Sequence, residues 1–179
     1  MVDLGKKIFF SYADSDSEYF QIPTIVSALE ILKEIDKVLY WKRDAKTDIT
    51  NFMFEEIVKC DDFVVFCTEN SLQSIAVRQE CEFALRLGKR IIPIFEDMKF
   101  IPESLKMKRG VAVVQSINSK KKRKKRLNIQ KLIQDLKFLI LDRNSSIPNF
   151  EEYQKILDKI KDEHLIREFL SDFHSKINV

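Results

Sequence analysis

Glycine is nearly missing from this sequence: there are three in 179 residues, Gly5, Gly88 and Gly110. Phosphate-cradling loops need clustered glycines, because only a residue without Cβ lets successive backbone N–H groups close around an anion. Neither GxGxxG nor GxxxxGK[ST] occurs, and no FMN-type phosphate loop is present. Histidine is scarcer still, and both copies, His164 and His174, lie near the C-terminal end. A Ser-His-Asp triad therefore has no base, no GxSxG elbow supplies a nucleophile, and zinc has no ligand cluster. Cys60, Cys67 and Cys81 stand singly, without CxxC spacing, and read as buried free thiols of a reduced compartment. No apolar run approaches the roughly 18 residues of a membrane span. The opening residues, MVDLGKK, show no signal-peptide pattern, so the expectation is a cytoplasmic protein. Charge of one sign is also in short supply. The formal net charge is +3, and much of the excess sits in Lys120–Arg126, KKKRKKR. No aromatics interleave with that run. A solvated loop is preferred for it over a nucleic-acid patch, an acidic-membrane patch or an assembly surface.

What is present is a core. Apolar residues make up 45% of the chain, and they come in two alternating forms. Short buried runs at Ile8–Tyr12, Val38–Trp41, Phe63–Cys67, Ile91–Phe95 and Val111–Val114 read as strands. Between them lie helical stripes: one opened by Pro23 (Ile25, Val26, Leu29, Leu32), then about Thr50–Val58, Ser74–Leu87 and Leu127–Leu141, with at most a short helix around Glu103. Strands alternating with helices predict an α/β fold with a parallel sheet. Its length favours the flavodoxin-like five-stranded order 2-1-3-4-5, with helices on both faces. Residues 1–141 form this domain, Asp142–Asn149 a linker, and residues 150–179 a C-terminal helical extension. The apolar stripe of that extension packs on the domain, on another copy of the chain, or as an autoinhibitory element.

Ligands of such sheets bind beyond the carboxyl ends of the strands. That edge is predicted to carry Tyr12–Asp16, Trp41–Asp44, Thr68–Ser74 and the start of the third helix, about Ser74–Leu87. A phosphoacceptor site is excluded, because Tyr12-Ala13, Cys67-Thr68 and Gln115 occupy the places where acidic residues and a lysine would be required. One residue stands out. At 3.6 residues per turn, Val77, Cys81, Ala84 and Leu85 make one apolar face of the helix, widened by Ala76, Phe83 and Leu87; Arg78, Gln79, Glu82 and Arg86 fall elsewhere, and Glu80 is the only charged residue inside the widened arc. A carboxylate there is costly unless it borders a polar cleft or finds a partner. The alternatives are a functional acid or a helix-surface residue paired with a nearby Lys or Arg.

Several stretches, in order, resemble the TIR (Toll/interleukin-1 receptor) domain family between Lys6 and about Leu141. Ile8-Phe9-Phe10-Ser11-Tyr12 is similar to the family's FISY strand, Asp44–Ile49 to its BB loop, and Asp62–Thr68 to its DxxVVxxS strand. Ser74-Ile-Ala-Val-Arg-Gln-Glu80, followed by Ala84, resembles S-x-W-V-x-x-E…A, and Lys89–Ile94 resembles KxIIPI. Three departures are plain: Ala76 stands where the family has tryptophan, Thr68 replaces its serine, and the BB loop lacks its glycine.

The resemblance implies one of two functions. Some members consume NAD+ as substrate, with no other cofactor, cleaving the nicotinamide–ribose bond to give nicotinamide and ADP-ribose or a cyclic isomer. Their glutamate maps onto Glu80. Tyr12, Ala13, Trp41, Arg43, Asp44, Thr68 and Ser74 are then the expected substrate-binding neighbours, with Trp41 offered as a stacking face in place of the missing tryptophan. Packing remains open for Trp41, Tyr12 and Ala13, as do solvated charges for Arg43 and Asp44. Other members are non-catalytic scaffolds in signalling and immunity that work by TIR–TIR association. Self-association through the BB loop is expected in either case, and Glu80 favours the enzyme.

Overall fold

A computed structural model describes residues 5–46, 48–113, 115–116 and 126–142. Strands β1 (Lys6–Ser11), β2 (Ile35–Leu39), β3 (Asp62–Cys67), β4 (Arg90–Phe95) and β5 (Val111–Ala112) form one sheet in the order β2-β1-β3-β4-β5. Every pairing is parallel, so each strand must be followed by a crossover. Helices α1 (Ile22–Glu30), α3 (Ile49–Lys59) and α5 (Ile75–Arg86) make the first three, and α6 (Ile129–Leu141) follows the last strand. The expected flavodoxin-like order is the one observed.

The side-chain period of two explains how one sheet serves two cores. Ile8 and Phe10 of β1, Val64 and Phe66 of β3, and Ile92 and Ile94 of β4 join the layer built with α1 and α6. Phe9, Phe63, Val65 and Ile91 join the opposite layer, with Phe54 and Ile57 of α3 and Cys81 and Ala84 of α5. β3 is buried along its whole length, as a central parallel strand should be. The three cysteines are buried free thiols, and burial raises the pKa of Cys60 and of Cys67 to about 12.

The amino edge of the sheet is held by charge. Asp62, 1% exposed, takes Lys6 Nζ at 3.1 Å and Arg90 Nη1 at 3.2 Å. The same two cations reach the last carbonyls of α6: Lys6 to Ile140 at 2.9 Å, and Arg90 to Leu139. A helix C-terminus presents unpaired carbonyls and partial negative charge, so it favours both contacts. Lys89 does the same for α3, donating to Val58 O at 2.6 Å and Cys60 O at 2.7 Å. Gly88, at φ 64°, ends α5 in the left-handed region that glycine enters without strain.

Four local expectations are corrected. β2 ends at Leu39, and Trp41 opens a helical turn, α2 (Trp41–Asp44), instead of closing the strand. The reason is Asp44, whose carboxylate accepts the Tyr40 N–H at 3.1 Å while its own N–H bonds Tyr40 O. The stretch after β3 is not wholly loop: Glu69–Gln73 is helix α4, started by a reciprocal capping box between Thr68 and Ser71. β5 is only Val111–Ala112, and Gln115–Ser116 (β6) pairs antiparallel with Arg126–Leu127 (β7), so Leu127 precedes α6 and Asn128 caps it. Gln79, placed off the apolar face from sequence, is buried. The linker beyond Asp142, the C-terminal stripe with His164 and His174, and Lys120–Lys125 lie outside the described residues.

Candidate active site at the carboxyl edge of the sheet

α5 begins at Ser74, whose hydroxyl accepts the Val77 N–H at 3.3 Å, and this cap fixes which residues of the helix face the sheet. Glu80 falls on the buried side and is 4% exposed. Its Oε2 accepts a hydrogen bond from the Ser11 hydroxyl. Ser11 is the last residue of β1, and its odd number puts it on the α3–α5 face beside Phe9, the side from which Glu80 arrives. Among the described residues Glu80 has no ion pair. Burial raises its pKa from the ordinary glutamate value of about 4.5 to about 8, with the Ser11 hydrogen bond pulling the other way. The surface-ion-pair alternative for Glu80 therefore fails. The residue is a desolvated acid, largely protonated at neutral pH and ready to ionise if a cation approaches.

Tyr12, the next residue, is buried in the other layer, its ring against Tyr40 and Phe66. Among the described residues no hydrogen bond of ordinary geometry reaches its hydroxyl. Burial, the largest cause, raises its pKa; Ser17 pulls the other way, and Tyr40, Asp14 and the nearby Glu80 add to the rise. Ala13 is buried at the start of the following turn, Asp14–Asp16. That turn is tied down on both sides. Lys42 bridges to Asp14 at 2.8 Å. Buried Asp16 accepts the Thr68 hydroxyl at 2.5 Å and the Asn70 amide at 2.6 Å. Trp41 is partly buried and packs against both core layers, so it stands at the edge where those layers meet.

The predicted neighbours thus divide. Tyr12 and Ala13 follow Ser11, the partner of Glu80, at the end of β1, and Trp41 stands just past the end of β2. Thr68 and Ser74 lie alongside as caps of α4 and α5, with Thr68 further engaged by Asp16. Arg43 and Asp44 are committed to holding α2. Arg43 binds Glu30 through two nitrogens, each at 3.0 Å, and lies over the Tyr40 ring at 5.0 Å. Burial alone would raise the Asp44 carboxyl, but bonds from Arg43, the Tyr40 amide and Lys37 outweigh it and lower its pKa. Sequence reading missed Ser11 and Asp16. The parity of β1 was the available signal for Ser11, whereas nothing in ADSDSE separates Asp16 from its neighbours. Among the described residues no group of His, Cys, Asp and Glu could hold a metal ion.

An acid buried at the carboxyl edge of a 2-1-3-4-5 sheet narrows the class, and family comparison completes it. The model of the TIR domain family matches residues 8–136, and the chain belongs to that family. Among solved structures, a prokaryotic SEFIR domain matches at 17% identity with TM-score 0.55, over 81% of this chain and 98% of its own length. The TIR domain of the Toll-related receptor TRR-2 from Hydra magnipapillata matches at 20% identity with TM-score 0.50, over 59% of this chain and 82% of its own. No curated protein matches the sequence. No described helix is long and apolar enough to cross a membrane.

Proposed function

We propose that this TIR domain cleaves the nicotinamide–ribose bond of NAD+, with Glu80 as the essential residue. One observation carries the reading: Glu80 is buried at the ligand edge of the sheet with no cation among the described residues to neutralise it. Such an isolated acid destabilises the fold, which makes sense where a cationic substrate is to be met. When the C1′–N bond breaks, its electron pair stays on the nicotinamide nitrogen and positive charge develops on the ribose. A carboxylate in a water-poor site stabilises that charge more than it would in water. Water, or a nucleophile of the same dinucleotide, then attacks C1′ and loses a proton, giving ADP-ribose or a cyclic isomer. Trp41 offers an aromatic face at the same edge, while Tyr12 and Ala13 line the end of β1.

The test is nicotinamide release by purified protein at high concentration, followed by chromatography, beside Glu80→Gln. Release by the parent and a loss of at least about 1,000-fold in the variant is the expected result. Self-association is part of the reading, so specific activity is expected to rise with protein concentration. A rate independent of concentration removes that part. A second reading, a scaffold acting by TIR–TIR contact, is favoured by Ala76 in place of the family tryptophan and by the commitment of Arg43 and Asp44 to α2. No turnover by parent or variant would select it.

A further inference from the structure

We infer that Ser11 is the positioning residue of this site: its hydroxyl holds Glu80 Oε2 under the end of β1 and leaves Oε1 as the oxygen that meets the ligand. The inference rests on the NAD+-cleaving reading of Glu80 and gives that acid its geometry. Three observations meet at this pair. Ser11 is 1% exposed and Glu80 4%, so neither partner has solvent as an alternative. Ser11 sits opposite Val65 of β3, in a strand bonded on its other side to β2, so its Cα is fixed by the sheet. Among the described residues Ser11 supplies the one side-chain hydrogen bond to Glu80. A carboxyl group with one oxygen anchored to a rigid strand has little rotamer freedom left, which is what a group that must face a developing charge requires.

The groups around the pair make the hydroxyl's influence readable. Cys81 adjoins Glu80 on α5, and Tyr12, whose ring is buried in the α1–α6 layer, is near enough at the end of β1 to feel its charge. No cation acts on it from β3, α3 or α4 among the described residues. A hydroxyl that donates to the ionised form favours that form. Losing it shifts the titration of Glu80 upward, with no neighbouring charge to mask the change. A serine that merely filled space would leave that titration where it is.

The experiment titrates the Glu80 carboxyl by carbon-13 NMR of glutamate-labelled protein, the signal being assigned by its loss in Glu80→Gln. Parent, Ser11→Ala and Ser11→Thr are compared, with NAD+ turnover measured on the same samples. Ser11→Ala is expected to move the titration up by roughly half a unit to one unit and to lower kcat roughly tenfold, with KM within about twofold of the parent. Ser11→Thr, which keeps the hydroxyl, is expected to restore both. If Ser11→Ala does not fold, Ser11→Cys, a weaker donor of similar size, carries the same comparison. A titration that does not move, or a loss carried by KM alone, overturns the role of Ser11. A shifted titration with no nicotinamide release from the parent overturns the NAD+ reading instead and leaves the Ser11–Glu80 coupling standing.

Discussion

Glu80 makes the stability of this protein depend on pH in an unusual direction. An unfolded glutamate titrates near 4.3, whereas burial lifts the native carboxyl to about 8. Between those values the unfolded chain has released the proton and the native protein still holds it. The native state therefore binds more protons, and stability falls as pH rises through that window. Glu80→Gln removes the dependence. The variant is expected to be more stable than the parent near pH 8, by on the order of a few kcal/mol, while the two converge toward pH 4. Melting curves across that range decide it, and a variant less stable than the parent at pH 8 would contradict the buried, unpaired acid. The identity of this residue was legible because a single charge interrupts an apolar arc. Its partner was not, since Ser11 ends a run of apolar residues and a serine there is as often a strand terminus as a ligand. Burial of Gln79 was missed for a similar reason: a polar residue at the margin of an arc is decided by what packs there, and an angular plot has no neighbours.

Among the elements, α4 and α2 were the ones the sequence hid. Both are too short for apolar periodicity to appear, since one helical turn samples each face once. They exist because side chains close their first turns: the Thr68–Ser71 capping box for α4, and Asp44 folding back on the Tyr40 N–H for α2. The long helices were legible for the converse reason, each carrying two or more turns of a stripe. Thr68 tests the short kind. Its hydroxyl accepts the Ser71 N–H at 3.0 Å and donates to buried Asp16 at 2.5 Å. Thr68→Val keeps the shape, removes the cap and leaves Asp16 one donor short. The expected loss is about 2–4 kcal/mol, accompanied by faster hydrogen exchange in α4, with Thr68→Ser close to the parent. A loss confined to a few tenths of a kcal/mol would mean that solvent replaces both bonds and that the turn Asp14–Asp16 is held by Lys42 and Asn70 without Thr68.

At the scale of the whole molecule, the two edges of the sheet do different work. The amino edge is a clamp in which Asp62 gathers Lys6, Arg90 and, through them, the end of α6. The carboxyl edge keeps an acid that no cation among the described residues neutralises. The sheet order linking them was legible because every strand run and crossover stripe could be counted, whereas the clamp was not, because its members lie far apart in sequence and no pattern in the chain pairs them. Asp62 and the last residue at the site end, Cys67, are the two ends of six-residue β3, and five steps at about 3.3 Å per residue set them roughly 16 Å apart. Charges that far apart across a packed sheet should act independently. Asp62→Ala leaves two partly exposed cations facing carbonyls alone and is expected to cost about 2–4 kcal/mol, toward the low side of a broken buried pair. It is expected to leave the titration of Glu80 in place. Combined with Glu80→Gln, whose effect near pH 8 has the opposite sign, the two changes should add to within about 0.5 kcal/mol. Denaturant unfolding of the parent, both single variants and the double variant measures this cycle. A coupling above about 1 kcal/mol would mean that the clamp sets the position of α5 and hence of the acid. Agreement with additivity would locate the determinants of the site at one edge alone, in Ser11, Glu80 and the turn that follows β1.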